Sequence, residues 1–157
     1  MLRPLLIAAC GPLVASHTCA ESLVGQASAI DADTREIYGQ RIRLLDIDAP
    51  ESKQLCNDAG GTRYRCDQTA ALELDDWIAA RPVTCETAKL DRYGRLLTHS
   101  SVGGRDVATS LAANGLAVPY RDCQCEVVRD AAVHAKAQRR GVWSRDFVMP
   151  WDWRKQD

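Results

Sequence analysis

Residues 41–52 read RIRLLDIDAPES. Leu44, Leu45 and Ile47 make the run apolar enough for a buried strand, yet Arg41, Arg43, Asp46, Asp48 and Glu51 crowd into it. A buried charge costs several kcal/mol unless it is paired or coordinated. Side chains alternate along a strand, which puts Arg43 and Asp48, five positions apart, on opposite faces. They serve one site only if the strand ends or bulges between them, as Ala49-Pro50 suggests. Asp46 shares parity with Asp48, so either can face that site. A surface ion-pair strip is the competing reading of the same letters.

Outward from this run the first half alternates and turns like a small β-meander. SLVGQASAI (22–30) reads as a strand, DADT as a turn and REIY as its return, and Gly39-Gln40 turns into RIRLL. RPVTCETAKL (81–90) and DRYGRLLTHSSVGG (91–104) add two more strands. Five short strands with glycine corners predict a small closed barrel within an α+β domain. Three segments carry helical period instead. CDQTAALELDDWIAAR (66–81) places Ala71, Leu74, Trp77 and Ile78 on one face with Asp67 as N-cap. DVATSLAANG (106–115) starts at a capping Asp106 and stops at Asn114-Gly115. EVVRDAAVHAKAQRRG (126–141) turns Val127, Val128, Ala131 and Ala135 inward and ends on Arg139-Arg140-Gly141, which suits a helix C-terminus.

The first twenty residues, MLRPLLIAACGPLVASHTCA, differ in kind. A basic Arg3, an apolar stretch over residues 5–15 and a small-residue Thr18-Cys19-Ala20 predict a secretory signal over residues 1–20, with residues 21–157 as the mature domain. The expected location is therefore a periplasm or the extracellular medium. Cysteine usage agrees: without Cys10 and Cys19 the chain keeps Cys56, Cys66, Cys85, Cys123 and Cys125, which read as disulfide partners in an exported domain. Cys56 and Cys66 bracket the glycine-rich loop LCNDAGGTRYRC and are expected to bridge; Cys85 would then reach Cys123 or Cys125, leaving one odd thiol. Zinc is disfavoured, since no cysteine pair has knuckle spacing and only His99 and His134 could help. No run of 18 apolar residues predicts a membrane span. The chain holds 20 Lys+Arg against 21 Asp+Glu, which excludes a broad basic surface, so any grip on a polyanion must be local.

Three places carry chemistry: the aspartates Asp31 and Asp33 of IDADT, the opening run, and Arg95 after the Tyr-Gly corner of DRYGRLL. Carboxylates from separate segments suit a hard divalent cation such as Ca²⁺ or Mg²⁺. Two arginines beside it would clamp a phosphate and stabilise charge growing on its oxygens. A further carboxylate would orient or deprotonate a water. This is the inventory of phosphodiester hydrolysis.

IDADT, RLLDIDAPES, DRYGR, GLAVPY and RRGVW, in this order and at these spacings, resemble the staphylococcal nuclease (thermonuclease) family over about residues 24–143. The resemblance implies an OB-type, five-stranded Greek-key barrel with three helices. It implies Ca²⁺ held by Asp33, Asp48 and the main-chain carbonyl of Ala49, where members often carry Thr. It also implies that Glu51 positions the attacking water and that Arg43 and Arg95 bind the phosphate, with Tyr93 and Tyr120 as nucleotide contacts. The implied activity is an exported nuclease on DNA or RNA that leaves 3′-phosphate ends and works as a monomer. Asp46 stands where a small or apolar residue is expected. Cys56, Gly60-Gly61 and Cys66 replace a lysine-rich loop. The aromatics of the tail FVMPWDWRKQD are expected to seal the barrel rather than stack bases. A barrel that has lost catalysis and only binds nucleic acid or protein is the alternative.

Overall fold

The structure, a computed structural model, describes residues 22–156; the expected signal lies outside the described residues. Its strands are β1 (Ser22–Gly25), β2 (Ser28–Ala29), β3 (Thr34–Ile37), β4 (Gln40–Leu44), β5 (Ile47–Asp48), β6 (Leu55–Asn57), β7 (Arg63–Arg65), β8 (Val83–Leu90), β9 (Leu96–Val102), β10 (Arg105–Asp106) and β11 (Val118–Pro119). The helices are α1 (Cys66–Ile78), α2 (Val107–Ala113), α3 (Glu126–Ala137) and a short α4 (Pro150–Trp153). The main sheet runs β1-β8-β9-β4-β3-β2, with β10 on β9. Its β4–β9 pair is parallel and the others antiparallel. A bulge in β8 between Thr87 and Lys89 bends the sheet. The result is a curled mixed sheet with helices, an OB-type α+β fold; α4 and the shortest strands are additions to the expected five strands and three helices.

Alternation decides which way β4 faces. Ile42 and Leu44 are buried and join Ile37, Leu74, Ile78, Val83, Val102, Val107 and Leu111 in the core. Arg41 and Arg43 therefore point outward. The buried faces of α1 and α3 are rotated from the expected ones. In α1 it is Ala70, Leu74 and Ile78 that are buried, and in α3 Val128, Ala132 and Ala135, while Val127 is 67% exposed. Asp67 does not cap α1. Arg65 holds the N-cap position without a side-chain bond, and Asp67 is buried, accepting the Ala32 N–H at 3.2 Å. It ties α1 to the turn before β3, so a tertiary partner has outbid a local cap. Asp106 does cap α2, accepting the Thr109 N–H.

Cys56 and Cys66 are bridged as expected, at a Cα separation of 5.6 Å. Cys85 reaches neither of its expected partners. It lies buried in β8 opposite Ser100 of β9, whose hydroxyl donates to its sulfur at 3.3 Å, and Cys123 pairs with Cys125 instead. Burial pushes the Cys85 thiol above its usual value, so it is a neutral core group. Phe147, Met149 and Trp151 pack with Trp143 and Tyr64 around Cys56–Cys66, Val118 and Val142, a second core that seals this end of the molecule.

Gly115 and Gly141 touch back to back where the loop after α2 meets the end of α3. Gly115 has φ +66° and its carbonyl accepts the Val142 N–H at 2.9 Å. A Cβ on Gly115 would stand 2.8 Å from the Arg140 carbonyl carbon and closer still to its oxygen. Gly115→Ala is expected to cost about 2–4 kcal/mol, from left-handed backbone strain and the backbone clash together. A urea unfolding series checks this, and a midpoint unchanged from wild type would contradict it.

Candidate active site

The chain turns between β4 and β5, which resolves the parity problem of the opening run. Asp46 takes φ +69°, and its carbonyl accepts the Tyr120 N–H at 2.8 Å next to the β5–β11 pairing. Aspartate tolerates left-handed backbone better than most residues, which is what this position asks of it. The turn brings Asp48 back to the face that carries Arg43. Arg43 Nη1 lies 2.7 Å from Asp33 Oδ1 and Nη2 lies 3.2 Å from Asp48 Oδ1. One guanidinium thus spans two carboxylates that come from different segments.

Asp33 is nearly fully buried and held on all sides. The Thr34 hydroxyl donates to its Oδ1 at 3.1 Å and the Ala49 N–H to its Oδ2 at 3.2 Å, while its own N–H is taken by Asp31 Oδ1 at 3.0 Å. Burial raises its pKa to about 6, with the Arg43 charge and the Ala49 N–H opposing and the Asp31 and Asp48 charges adding. Asp48 is 1% exposed. Glu51, half-buried, follows Pro50, and its N–H donates to Gln54 Oε1 at 3.2 Å. Asp31, Asp33, Arg43, Asp48, Ala49, Glu51 and Asp67 line one cleft of about 120 Å³.

Sequence reasoning missed two members of this site. Gln54 is buried and its amide donates to the Val148 carbonyl at 2.6 Å, fastening the Glu51 turn to the tail. Arg154, just after α4, places Nη2 2.8 Å from Asp48 Oδ2 and Nη1 2.5 Å from Glu51 Oε1. The hydrogen bonds to Asp48, against the opposing effect of partial burial, push its guanidinium above the ordinary arginine value. No local pattern marks either residue, because their partners in the site or the tail lie about a hundred positions away.

The remaining expected residues line a larger groove of about 640 Å³ that shares Arg43 with the cleft and contains Arg95, Tyr93 and Tyr120. Arg95 Nε pairs with Asp91 Oδ2 at 2.7 Å, and its guanidinium lies 5.5 Å from the Tyr93 ring centre. Tyr93 is 68% and Tyr120 46% exposed, so both present open faces. Asp46 also faces this groove, with His99 Nδ1 3.2 Å from its Oδ2. Asp46 and the Cys123 and Cys125 sulfurs stand within 4.8 Å of one another, but those sulfurs are bonded together and offer no thiolate to an ion.

The donor set of the cleft fits a hard divalent cation. It gathers five carboxylates in a confined space, of which Asp33, Asp48 and Glu51 pair with the guanidinium groups of Arg43 and Arg154. All donors are oxygens, which excludes a soft-metal preference. The profile of the staphylococcal nuclease homologue family matches residues 41–145, from the first residue of the opening run to past RRGVW. The chain belongs to the staphylococcal nuclease family. It is 42% identical over 126 residues to the succinoglycan biosynthesis protein ExoI of Rhizobium meliloti (strain 1021), covering 79% of this chain and 66% of that one. It is 36% identical over 132 residues to an uncharacterized endonuclease of Escherichia coli O157:H7, covering 80% of each. It is 32% identical over 146 residues to the micrococcal nuclease of Shigella flexneri, covering 80% of this chain and 76% of that one. This kinship makes the chain a nuclease-type hydrolase of a metal-dependent family. The match spans just under two thirds of the Rhizobium relative's length. No helix among the described residues is long and apolar enough to cross a membrane.

Proposed function

We propose that the chain is an exported, calcium-dependent nuclease that hydrolyses phosphodiester bonds of DNA or RNA and leaves 3′-phosphate ends. The observation that carries this reading is the convergence of Asp33, Asp48 and Glu51 in one acidic cleft, which shares Arg43 with a groove edged by Arg95, Tyr93 and Tyr120. Asp33, Asp48 and the Ala49 carbonyl would hold the ion, whose charge, when bound, offsets the negative charge of the scissile phosphate. Glu51 orients a water and takes its proton as the water oxygen bonds to phosphorus. The bond from phosphorus to the 5′ oxygen breaks, that oxygen takes a proton from solvent water as it leaves, and the proton on Glu51 returns to solvent. Arg43 and Arg95 hold the phosphate oxygens and gain most where charge is greatest, in the transition state. Tyr93 and Tyr120 offer ring faces to flanking bases or sugars.

Export is supported by the apolar leader and by the Cys56–Cys66 bridge, which persists in an oxidising compartment. The near-neutral charge favours substrates held by this groove over long duplexes gripped by bulk charge. The test is end-group analysis of digested single-stranded DNA and RNA. Products whose 3′ ends become extendable only after phosphatase treatment agree with the reading. Products with 5′-phosphates and free 3′-hydroxyls contradict the proposed bond cleavage.

A further inference from the structure

The tail that carries Arg154 is fixed to the site from two directions. Trp151 anchors α4 in the second core, against the Cys56–Cys66 bridge. Gln54 joins the tail to the active-site turn, donating to the Val148 carbonyl while accepting the Glu51 N–H. Arg154 therefore arrives over the carboxylates on a short, braced segment rather than on a loose end. Its guanidinium takes Asp48 Oδ2 at 2.8 Å, shares Asp48 Oδ1 with Arg43 at 3.3 Å, and takes Glu51 Oε1 at 2.5 Å. Asp48 is 1% exposed, and both of its oxygens accept from guanidinium groups of the chain itself.

A guanidinium and a divalent cation compete for the same lone pairs and repel each other at such range. We propose that Arg154 is a tethered competitor for the cation of this site. The docked guanidinium and a bound ion exclude one another at Asp48, so the tail sets the ion affinity and Arg154 must swing away in the ion-bound state. This inference rests on the reading of Asp33, Asp48 and Glu51 as the cation and water site. Linkage makes the coupling reciprocal: the ion loosens the tail by the same factor that the tail weakens the ion. The alternative role is that of a brace, in which Arg154 holds Asp48 in place for the ion and its loss weakens binding.

Calorimetric titration of the full chain with Ca²⁺ separates these roles, using wild type, Arg154→Met and Lys155→Met. Among the described residues Lys155 pairs only with Asp152, at 2.8 Å, so its loss removes the same charge one residue away from Arg154. The expected result is a Kd at least about tenfold tighter in Arg154→Met, within the usual range of coupling between sites. Lys155→Met should stay near wild type. A Kd in Arg154→Met equal to or weaker than wild type overturns the proposal and leaves the cation site standing. Equal tightening by Lys155→Met overturns it too, since bulk charge then suffices. Absence of Ca²⁺ binding in every variant overturns the cation reading itself, and the proposal with it.

Discussion

Arg95→Ala is expected to lower kcat by about 10²–10³-fold, the scale for removing one donor that faces charge developing in a transition state. The substitution is clean because Arg95 does little for the fold. Its corner is held by the Asp91 carboxylate, which accepts the N–H groups of Tyr93 at 2.8 Å and Arg95 at 3.0 Å, and these backbone bonds survive loss of the side chain. The Arg95–Asp91 ion pair is partly exposed and contributes little to stability. Unfolding free energy should therefore stay within about 0.5 kcal/mol of wild type, as for an ordinary surface change. A kcat loss below about threefold would remove Arg95 from the chemistry, because a transition-state contact cannot be lost so cheaply.

Glu51→Gln is expected to lower activity by about 10²–10⁴-fold, the range for general acid–base catalysis. Glutamine keeps the volume and a carbonyl oxygen for Arg154, and the backbone bond from residue 51 to Gln54 is untouched. What disappears is the negative charge and the capacity to take a proton from water. Ca²⁺ affinity should survive, since Asp33 and Asp48 supply the buried carboxylates. A variant that loses Ca²⁺ affinity in proportion to activity would make Glu51 an ion ligand instead of a base. A variant with full activity would leave the water without its proposed partner.

Much of this site was legible in the letters of residues 41–52. Alternation in RIRLL sends Ile42 and Leu44 inward and Arg43 outward, and the structure follows that period. The clash of parity between Arg43 and Asp48 required a break in the strand, and it falls at Asp46, between β4 and β5, rather than at the expected Ala49-Pro50. In the letters Asp46 stands out only as a carboxylate where a small or apolar residue is expected, because the side-chain pattern carries no sign of the backbone angle. Its positive φ is a property of the turn.

Features that depend on distant partners were not legible. Asp67 looked like an N-cap by position, yet the Ala32 N–H, 35 residues away, takes its carboxylate. The buried stripe of α3 is set by the helix it packs on, which left Val127 outside and drew Ala132 in. Cys85 found Ser100 across a sheet pairing instead of a bridge. Arg154 is the plainest case: it meets Asp48 across 106 positions, and a lone arginine after an aromatic pair carries no local mark of that contact.

The most direct measurement is cleavage of a labelled single-stranded DNA by the full chain in excess EGTA, followed by stepwise addition of Ca²⁺. No cleavage is expected in EGTA, with recovery that saturates as Ca²⁺ is added and no recovery when Asp33 and Asp48 are both changed to asparagine. Cleavage that proceeds at full rate in EGTA, or that survives in the double variant, would contradict the claim that these carboxylates hold a required ion.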